Sequence, residues 1–363
     1  MRVIGILPLW PVLSLALLFG SMDSSYVAPR VVTAPPVESS IQLRLDTSEA
    51  EAVLVVLDRL AARHLVEEGT WAQVFASEPY QRLKQREAKM QRAFTDSAFR
   101  RFVESPALVA RTDSLRRTLA AWSEADLMAS ARRVMAYLPD TARIRAKVYP
   151  VIKPQTNSFV FEPSTNAAIF LYLDPTVSAA QFENTVAHEL HHIGFASVSG
   201  SQEAMRAQLS PGAAKVVEWM GAFGEGLAML AAAGSPDVHP HATSPAADRA
   251  RWDRDMGHFN DDLAALERFF TGILDQQYKS DADVQKAGYS FFGVQGPWYT
   301  VGYRMAAMVE KRFGREVLIE CMLDPRELLA HYNTAAADSM RAGHGTLATW
   351  SPAFLRRLGT PGY

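Results

Sequence analysis

The stretch AAIFLYLDPTVSAAQFENTVAHELHHIGFASV, residues 167–198, combines two periods of hydrophobicity in one short segment. Its first part is an apolar and aromatic run that ends in Asp-Pro, which is typical of a strand. Its second part has the spacing of a helix from about Ser178 to Ala196, and it holds three of the nine histidines of the chain within five residues. The stretch therefore predicts a strand that leads directly into a helix carrying a polar cluster.

The histidines of this helix have the spacing of a metal site. Residues four apart lie on one face of a helix, so His188 and His192 project together, whereas Glu189 is displaced by about 100°. The pattern is H-E-x-x-H, in which the two histidines bind zinc and the glutamate reaches a water on the ion. His191 has no required role in this pattern, and we predict that it lies at the rim of the site. The apolar residues of the helix fall on the opposite side and are expected to face a core: Phe182, Val186, Leu190 and Ile193.

A catalytic zinc usually takes three protein ligands and leaves the fourth position to water. A third histidine of the metzincin type would stand at position 198, where the chain has Val198. Glu225 is instead the sole charged residue of the apolar run WMGAFGEGLAMLAAA, and a carboxylate there is costly to bury unless it pairs with an arginine or binds a metal. We predict Glu225 as the third ligand, with Glu218 and Glu203 as weaker substitutes. The glycines and alanines around Glu225 are expected to let its helix approach the histidine helix closely.

The combination of H-E-x-x-H with a glutamate in GEGLA on a following helix resembles the gluzincin metallopeptidases. More specifically, the chain is similar to a family of proposed zinc-dependent peptidases that is catalogued as a domain of unknown function. The segments EPYQRLKQRE (78–87) and YTVGYRMAAMVEKRFGREVLIECMLDPRELLAHYN (299–333) carry this resemblance beyond the site, over about residues 50–345. The resemblance implies a zincin-like core, one Zn²⁺ per chain, and a peptide or protein substrate that Glu189 would help to hydrolyse as general base.

A peptidase of this kind also needs a hydrogen-bond donor for the oxyanion that forms during hydrolysis. Tyr299 and Tyr303 lie one helical turn apart in the C-terminal segment that carries the resemblance, and they are our candidates. Ordinary core packing is the alternative for either tyrosine. His239 and His241, in the loop after the Glu225 helix, are further candidates, although histidines in a loop are more often merely exposed. The resemblance also implies that the strand AAIFLYLDP offers an edge to an extended peptide.

The whole sequence predicts a mainly α protein with a small mixed β-sheet, an α+β fold. A helical N-terminal region is expected over 47–140, and a catalytic region over 141–345. Within the second region, a sheet of two to four strands is predicted across 143–173, and the Glu225 helix at about 213–233. Residues 346–363 are predicted to form a tail.

The N-terminus has the features of a targeting segment. Arg2 is followed by an uncharged apolar run, so residues 1–22 are predicted to be a signal peptide or an uncleaved membrane anchor, and the protein to be exported. Residues 23–46 are rich in Pro, Ser and Thr and are predicted to be a flexible linker. Cys321 is the single cysteine, which excludes an intrachain disulfide, and its apolar neighbours predict a buried, inert thiol.

Composition narrows the range of functions. The 37 Lys and Arg residues nearly balance the 39 Asp and Glu residues, so nothing at the level of the whole chain indicates nucleic acid as a partner. Phosphate-binding loops and the G-x-S-x-G motif are missing from the sequence, which argues against nucleotide chemistry and serine hydrolysis. A catalytically inactive, zinc-stabilised binding or regulatory protein on a peptidase scaffold is the alternative, but such a protein has no need of Glu189. A protein without metal would leave Glu225 unexplained.

Overall fold

The computed structural model describes residues 40–198 and 200–363, so the predicted signal peptide or anchor and the first part of the predicted linker lie outside the described residues. Helices make up most of the described chain, and four strands form one mixed sheet, which confirms the prediction of a mainly α protein with a small sheet. The strands are β1 (Ile41–Leu45), β2 (Ile144–Val151), β3 (Phe159–Phe161) and β4 (Ala167–Tyr172). The helices are α1 (Ser48–Ala61), α2 (Glu68–Ala76), α3 (Glu78–Lys89), α4 (Asp96–Val103), α5 (Pro106–Val109), α6 (Thr112–Ser123), α7 (Leu127–Met135), α8 (Ala179–Ala196), α9 (Gly200–Arg206), α10 (Pro211–Met220), α11 (Gly224–Ala233), α12 (Ala246–Gly257), α13 (Phe259–Leu274), α14 (Asp281–Ser290), α15 (Pro297–Phe313), α16 (Arg315–Leu323), α17 (Pro325–Arg341) and α18 (Pro352–Leu358).

The sheet has the strand order β1-β2-β4-β3. β1 and β2 are parallel, β2 and β4 are parallel, and the short β3 is an antiparallel edge. The strand predicted from AAIFLYLDP is β4, and it lies between β2 and β3 with hydrogen-bonded neighbours on both sides. The expectation that this strand offers a free edge to a peptide is therefore wrong, because its backbone groups are already paired.

β1 lies inside the predicted flexible linker 23–46. It pairs with β2 in parallel, with Ile41 opposite Ile144, and Ile41 is buried while Leu43 and Leu45 pack against the core. The linker prediction is therefore wrong for these residues. The alternating pattern of IQLRL is too short to outweigh the Pro-rich segment before it, and its partner strand comes far later in the chain.

Both faces of the sheet are buried, and the residues of each strand alternate between them. Val148 of β2 and Ile169 of β4 face the main core, which also contains the apolar side of α8. Tyr149 and Phe170, one residue further along each strand, face a smaller core that includes Leu83 of α3. This double burial explains why β4 is a continuous apolar run in the sequence.

α8 begins where the sequence predicts it. Ser178 forms a capping box with Gln181, because its hydroxyl accepts from the Gln181 N–H at 3.2 Å and the Gln181 side chain accepts from the Ser178 N–H at 2.9 Å. Phe182 stacks on Trp122 of α6, with ring centroids 4.4 Å apart. The four residues predicted for the apolar face are buried: Phe182, Val186, Leu190 and Ile193. The core therefore fixes the rotation of α8 and turns the histidine side toward α11.

The helix predicted at about 213–233 is two helices, α10 and α11, joined by the 3₁₀ turn Gly221–Phe223. The segment Pro211–Ala233 is long and apolar enough to cross a membrane by length and composition, but 72% of its apolar window is buried inside the protein. The core helix of a domain has the same features, and this segment contributes many side chains to the main core.

The C-terminal segment is part of the core. Trp350 is fully buried, and its Nε1 lies 3.3 Å from the Sδ atom of Met305 in α15. Phe354 and Leu358 of α18 are buried as well. The prediction of a tail over 346–363 is therefore wrong, because the apolar residues of this segment are too few to reveal a helical period in the sequence.

Candidate metal centre

Three potential ligand atoms converge between α8 and α11. His188 Nε2 lies 3.1 Å from Glu225 Oε2, and His192 Nε2 lies 3.3 Å from the same oxygen. The two Nε2 atoms are 3.1 Å apart. His188 and Glu225 are buried, whereas the His192 side chain is 27% exposed, so solvent reaches the cluster from the His192 side. The structure thus brings together the three residues that the sequence predicts as ligands.

The spacing of these atoms suits a tetrahedral ion. Zinc bonds to nitrogen and oxygen of about 2.0–2.1 Å, at tetrahedral angles, separate the ligand atoms by about 3.3–3.4 Å. The observed separations of 3.1, 3.1 and 3.3 Å are close to that value. Two imidazole nitrogens and one carboxylate oxygen also form a ligand set that transition metals favour. His188, His192 and Glu225 therefore form a site that can hold a metal ion.

The electrostatics of the cluster favour an ionised Glu225. Burial acts to raise the pKa of Glu225, but the adjacent His192 and His188 outweigh it and lower that pKa. Burial likewise disfavours charge on His192, whose pKa is nevertheless raised by the Glu225 and Glu189 carboxylates. The proton on the His192 imidazole is therefore stabilised by the buried Glu225 carboxylate. A bound cation would take the place of that proton.

Glu189 lies beside the cluster and is buried. Burial raises the pKa of its carboxyl group, and the nearby His188 and His192 offset only part of that rise. Within the described residues, the Glu189 carboxylate makes no hydrogen bond or ion pair. A carboxylate that has no partner and a raised pKa, next to a metal site, is suited to take up a proton from water.

Glu225 is held in place by a close crossing of α11 and α15. A Cβ atom on Gly226 would lie 2.6 Å from the backbone oxygen of Tyr299, and closer still to the backbone nitrogen of Tyr303. On the other side of the crossing, a Cβ atom on Gly302 would lie 2.7 Å from the Phe223 oxygen. The close approach that these glycines permit is therefore between α11 and α15, whereas the sequence predicts it between α11 and α8.

The two candidate tyrosines have different neighbours. The ring of Tyr299 is parallel to that of His188, with centroids 6.3 Å apart, and burial followed by the Glu225 carboxylate raises the pKa of Tyr299. Tyr303 packs against Trp252, and its hydroxyl donates to the Val238 carbonyl at 3.4 Å. The structure therefore places Tyr299 beside the ligands, whereas the contacts of Tyr303 are those of core packing.

Comparison with protein families extends the relationship from the site to most of the chain. The family model described as "Putative zinc dependent peptidase (DUF5700)" matches residues 71–340. The chain belongs to this family. The matched range contains the three converging ligands, Glu189 and Tyr299, and it confirms the resemblance found in the sequence. No curated protein and no solved structure matches the chain.

In this DUF5700 protein, His191 does not lie at the rim of the site. Its side chain is 1% exposed, on the flank of α8 that also buries Ala187. Burial, followed by the adjacent His192 and His188, lowers the pKa of His191 well below its usual value. The rim prediction is therefore wrong, because the packing around this flank of the helix leaves no path to solvent, and His191 is a neutral core residue.

The loop histidines have partners of their own. His239 Nε2 lies 3.0 Å from the Asp253 carboxylate, and His239 is partly exposed. His241 is buried, its Nδ1 lies 3.0 Å from the Ser244 hydroxyl, and burial lowers its pKa to about 4. The expectation of an exposed loop side chain is therefore wrong for His241. Both histidines therefore have partners outside the cluster of His188, His192 and Glu225.

The remaining predicted residues lie away from the cluster. Glu218 forms an ion pair with Lys215 at 3.4 Å, and Glu203 is exposed on α9. Neither glutamate belongs to the converging ligands. Cys321 is buried as predicted, and burial raises the pKa of its thiol to about 12, which leaves it unreactive near neutral pH.

No feature of the sequence predicts a substrate pocket, but the structure contains a cavity of about 150 Å³ at the N-terminal end of α8. Asn184 lines it and stands four residues before His188, on the same helix face. Extending the i, i+4 series backwards from the H-E-x-x-H pattern is the signal that would have found this residue.

Proposed function

We propose that this protein is a zinc-dependent peptidase in which His188, His192 and Glu225 hold one Zn²⁺ and Glu189 is the general base. The observation that carries the proposal is the convergence of three ligand atoms from two helices at separations of 3.1–3.3 Å. Membership of a family described as zinc-dependent peptidases supports the same metal and the same reaction. The proposed substrate is a peptide or protein.

Zinc in this site would supply Lewis acidity, which activates water and polarises the carbonyl group of a peptide bond. Glu189 is one residue from His188 and on the flank of the ligand face, where it can take a proton from the attacking water. The same carboxyl group can then deliver that proton to the leaving amine. Burial raises the pKa of the Glu189 carboxyl group, which makes the carboxylate a stronger base toward the attacking water.

Tyr299 is proposed to donate a hydrogen bond to the oxyanion. Burial raises the pKa of its hydroxyl, so the group stays protonated over the working pH range and remains a donor. Its ring lies next to the imidazole of His188, on the side of the ligands that faces α15. Tyr303 is not needed for this role, since its hydroxyl already donates to a backbone carbonyl.

A binding or regulatory protein with a structural metal remains the second hypothesis. A structural site has no use for an unpaired acid beside the metal, and burying such an acid costs stability. The position of Glu189 therefore favours the enzyme. We also propose that the protein is exported, on the basis of its N-terminal apolar segment.

The test is the zinc content per chain after dialysis against a weak chelator, together with hydrolysis of a peptide library. We expect about one zinc in the wild type and in Glu218→Ala, the matched control on α10, and much less in Glu225→Ala. Glu189→Gln should retain zinc and lose hydrolysis. Zinc retained in Glu225→Ala would remove Glu225 from the ligand set. A zinc-loaded wild type that cleaves no peptide would favour the binding protein.

A further inference from the structure

The cavity at the N-terminal end of α8 lies next to the proposed metal centre. On α8, Asn184 precedes His188 by one turn, which is about 6 Å along the helix axis. On α11, Ala232 follows Glu225 by about two turns, or roughly 10 Å. Both helices therefore run from the ligand cluster to the cavity. An extended peptide advances by about 3.3–3.6 Å per residue, so the cavity stands two or three residues from a bond at the metal.

The size of the cavity suits one side chain or chain end. Its volume of about 150 Å³ is enough for a group of the size of benzene. The apolar part of its lining is built from short side chains, including Ala180, Ala232 and Val238. Because these apolar side chains are small, we expect the polar residues of the lining to recognise a bound group.

The polar side chains of the cavity lining differ in whether they already have a hydrogen-bond partner. The side chains of Arg133, Asn184 and Thr243 make no hydrogen bond or ion pair within residues 40–198 and 200–363. The two other polar residues of the lining have partners: the charged Glu183 accepts through Oε1 from the Asp126 N–H at 3.1 Å, at the start of α7, and His239 pairs with Asp253. The groups left for a ligand are therefore a guanidinium, a carboxamide and a hydroxyl, all of which can donate to a carboxylate.

Arg133 is positioned by the protein although its charge is unpaired. Gly234, which ends α11 in the left-handed region (φ 81°), packs against the stem of Arg133, where an added Cβ would lie 2.7 Å from the Arg133 Cδ atom. The stem is thus held while the guanidinium remains exposed at the cavity. A side chain whose stem is already held loses less entropy when its guanidinium binds a ligand than a fully free side chain does.

We propose that this cavity is a substrate subsite that binds a carboxylate-bearing residue, with Arg133 as its specificity-determining group. The proposal rests on the proposed peptidase function and adds a substrate class to it. The carboxylate belongs either to an Asp or Glu side chain or to the C-terminus of the peptide. Arg133 provides the charge, while Asn184 and Thr243 provide the neutral hydrogen bonds.

Binding without turnover tests the subsite separately from the peptidase function. The probes are two pairs of N-acetyl tripeptides that begin with two alanines. In the first pair the third residue is glutamate or glutamine, with the C-terminus amidated in both. In the second pair the third residue is alanine, with a free C-terminal carboxylate in one peptide and an amide in the other. Their affinities are measured by ligand-observed NMR on the zinc-loaded full chain, in the Glu189→Gln background, which prevents cleavage. The variants are Arg133→Gln and the control Arg132→Gln, a neighbouring exposed arginine outside the cavity lining.

We expect at least one acidic probe to bind about fivefold tighter than its neutral partner to the background protein and to Arg132→Gln, and this preference to vanish in Arg133→Gln. The pair that shows the preference identifies the source of the carboxylate. Equal affinities within both pairs, no binding of any probe, or an unchanged preference in Arg133→Gln would overturn the subsite. A clear preference in a protein that hydrolyses no peptide would retain the subsite and reject the proposed function instead.

Discussion

The substitution Gly226→Ala tests the helix crossing that positions Glu225. The added methyl group would lie 2.6 Å from the Tyr299 oxygen and closer still to the Tyr303 nitrogen, whereas a relaxed contact needs about 3.5 Å. These are backbone atoms, so no side-chain rotation can relieve the overlap, and α11 must move away from α15 by about 1.5 Å. Overpacking of this kind lowers the free energy of unfolding by about 1–3 kcal/mol. The better helix propensity of alanine offsets at most about 1 kcal/mol of that loss.

Gly224→Ala is the matched control, since it is on the other side of Glu225 in the same helix. An added Cβ there meets nothing within 4 Å, and the Gly224 φ of −52° is helical. We expect this variant to be more stable than the wild type by about 0.5–1 kcal/mol in urea unfolding, and Gly226→Ala to be less stable by about 2 kcal/mol. Competition with a zinc chelator should show at least about tenfold weaker zinc binding in Gly226→Ala. Equal stability and equal zinc affinity in the two variants would refute the argument that this crossing fixes Glu225.

Three further predictions test other parts of the molecule. Tyr299→Phe should lower kcat on a peptide substrate by about a hundredfold with its zinc content unchanged, whereas Tyr303→Phe should leave kcat within a few-fold of the wild type; equal losses would remove Tyr299 as the oxyanion donor. Glu49 is fully buried, and burial raises its pKa to about 8, against the opposing effects of the Ile152 N–H and Lys153. The folded state therefore holds this proton more tightly than the unfolded state, so the stabilisation present below pH 4.5 is lost as the pH rises to about 8. The free energy of unfolding of Glu49→Gln, relative to that of the wild type, should accordingly rise by up to about 1.4 kcal/mol per pH unit between pH 5 and 8. Parallel pH profiles of the two proteins would contradict the raised pKa. Trp350→Ala should destabilise the protein by about 3–5 kcal/mol in chemical denaturation, and a loss below 1 kcal/mol would mean that the C-terminal segment is not part of the core.

Much of the fold and of the candidate site follows from short-range patterns. The helix of His188 and His192 was predictable because a capping residue, a 3.6-residue period and the i, i+4 spacing all lie within one segment. Glu225 was predictable because a single charge in an apolar run needs a reason to be there. The errors in the fold concern β1, the edge role assigned to β4, and the predicted tail. β1 and the C-terminal segment depend on partners that are distant in the sequence, whereas β4 is paired by the nearby β3, and the order of strands in a sheet is not a local property.

The sequence by itself determined which residues are proposed as ligands, because ligand chemistry and helical spacing are local properties. The tertiary structure decided which tyrosine stands at the ligands, that His191 is buried, and which glycine lets α11 meet α15. It also placed Arg133 of α7 at a cavity formed by α8 and α11. The physical reason is that burial and contact between helices depend on the packing of the whole chain. A local pattern predicts which face of a helix is buried, but it does not predict which element packs against that face.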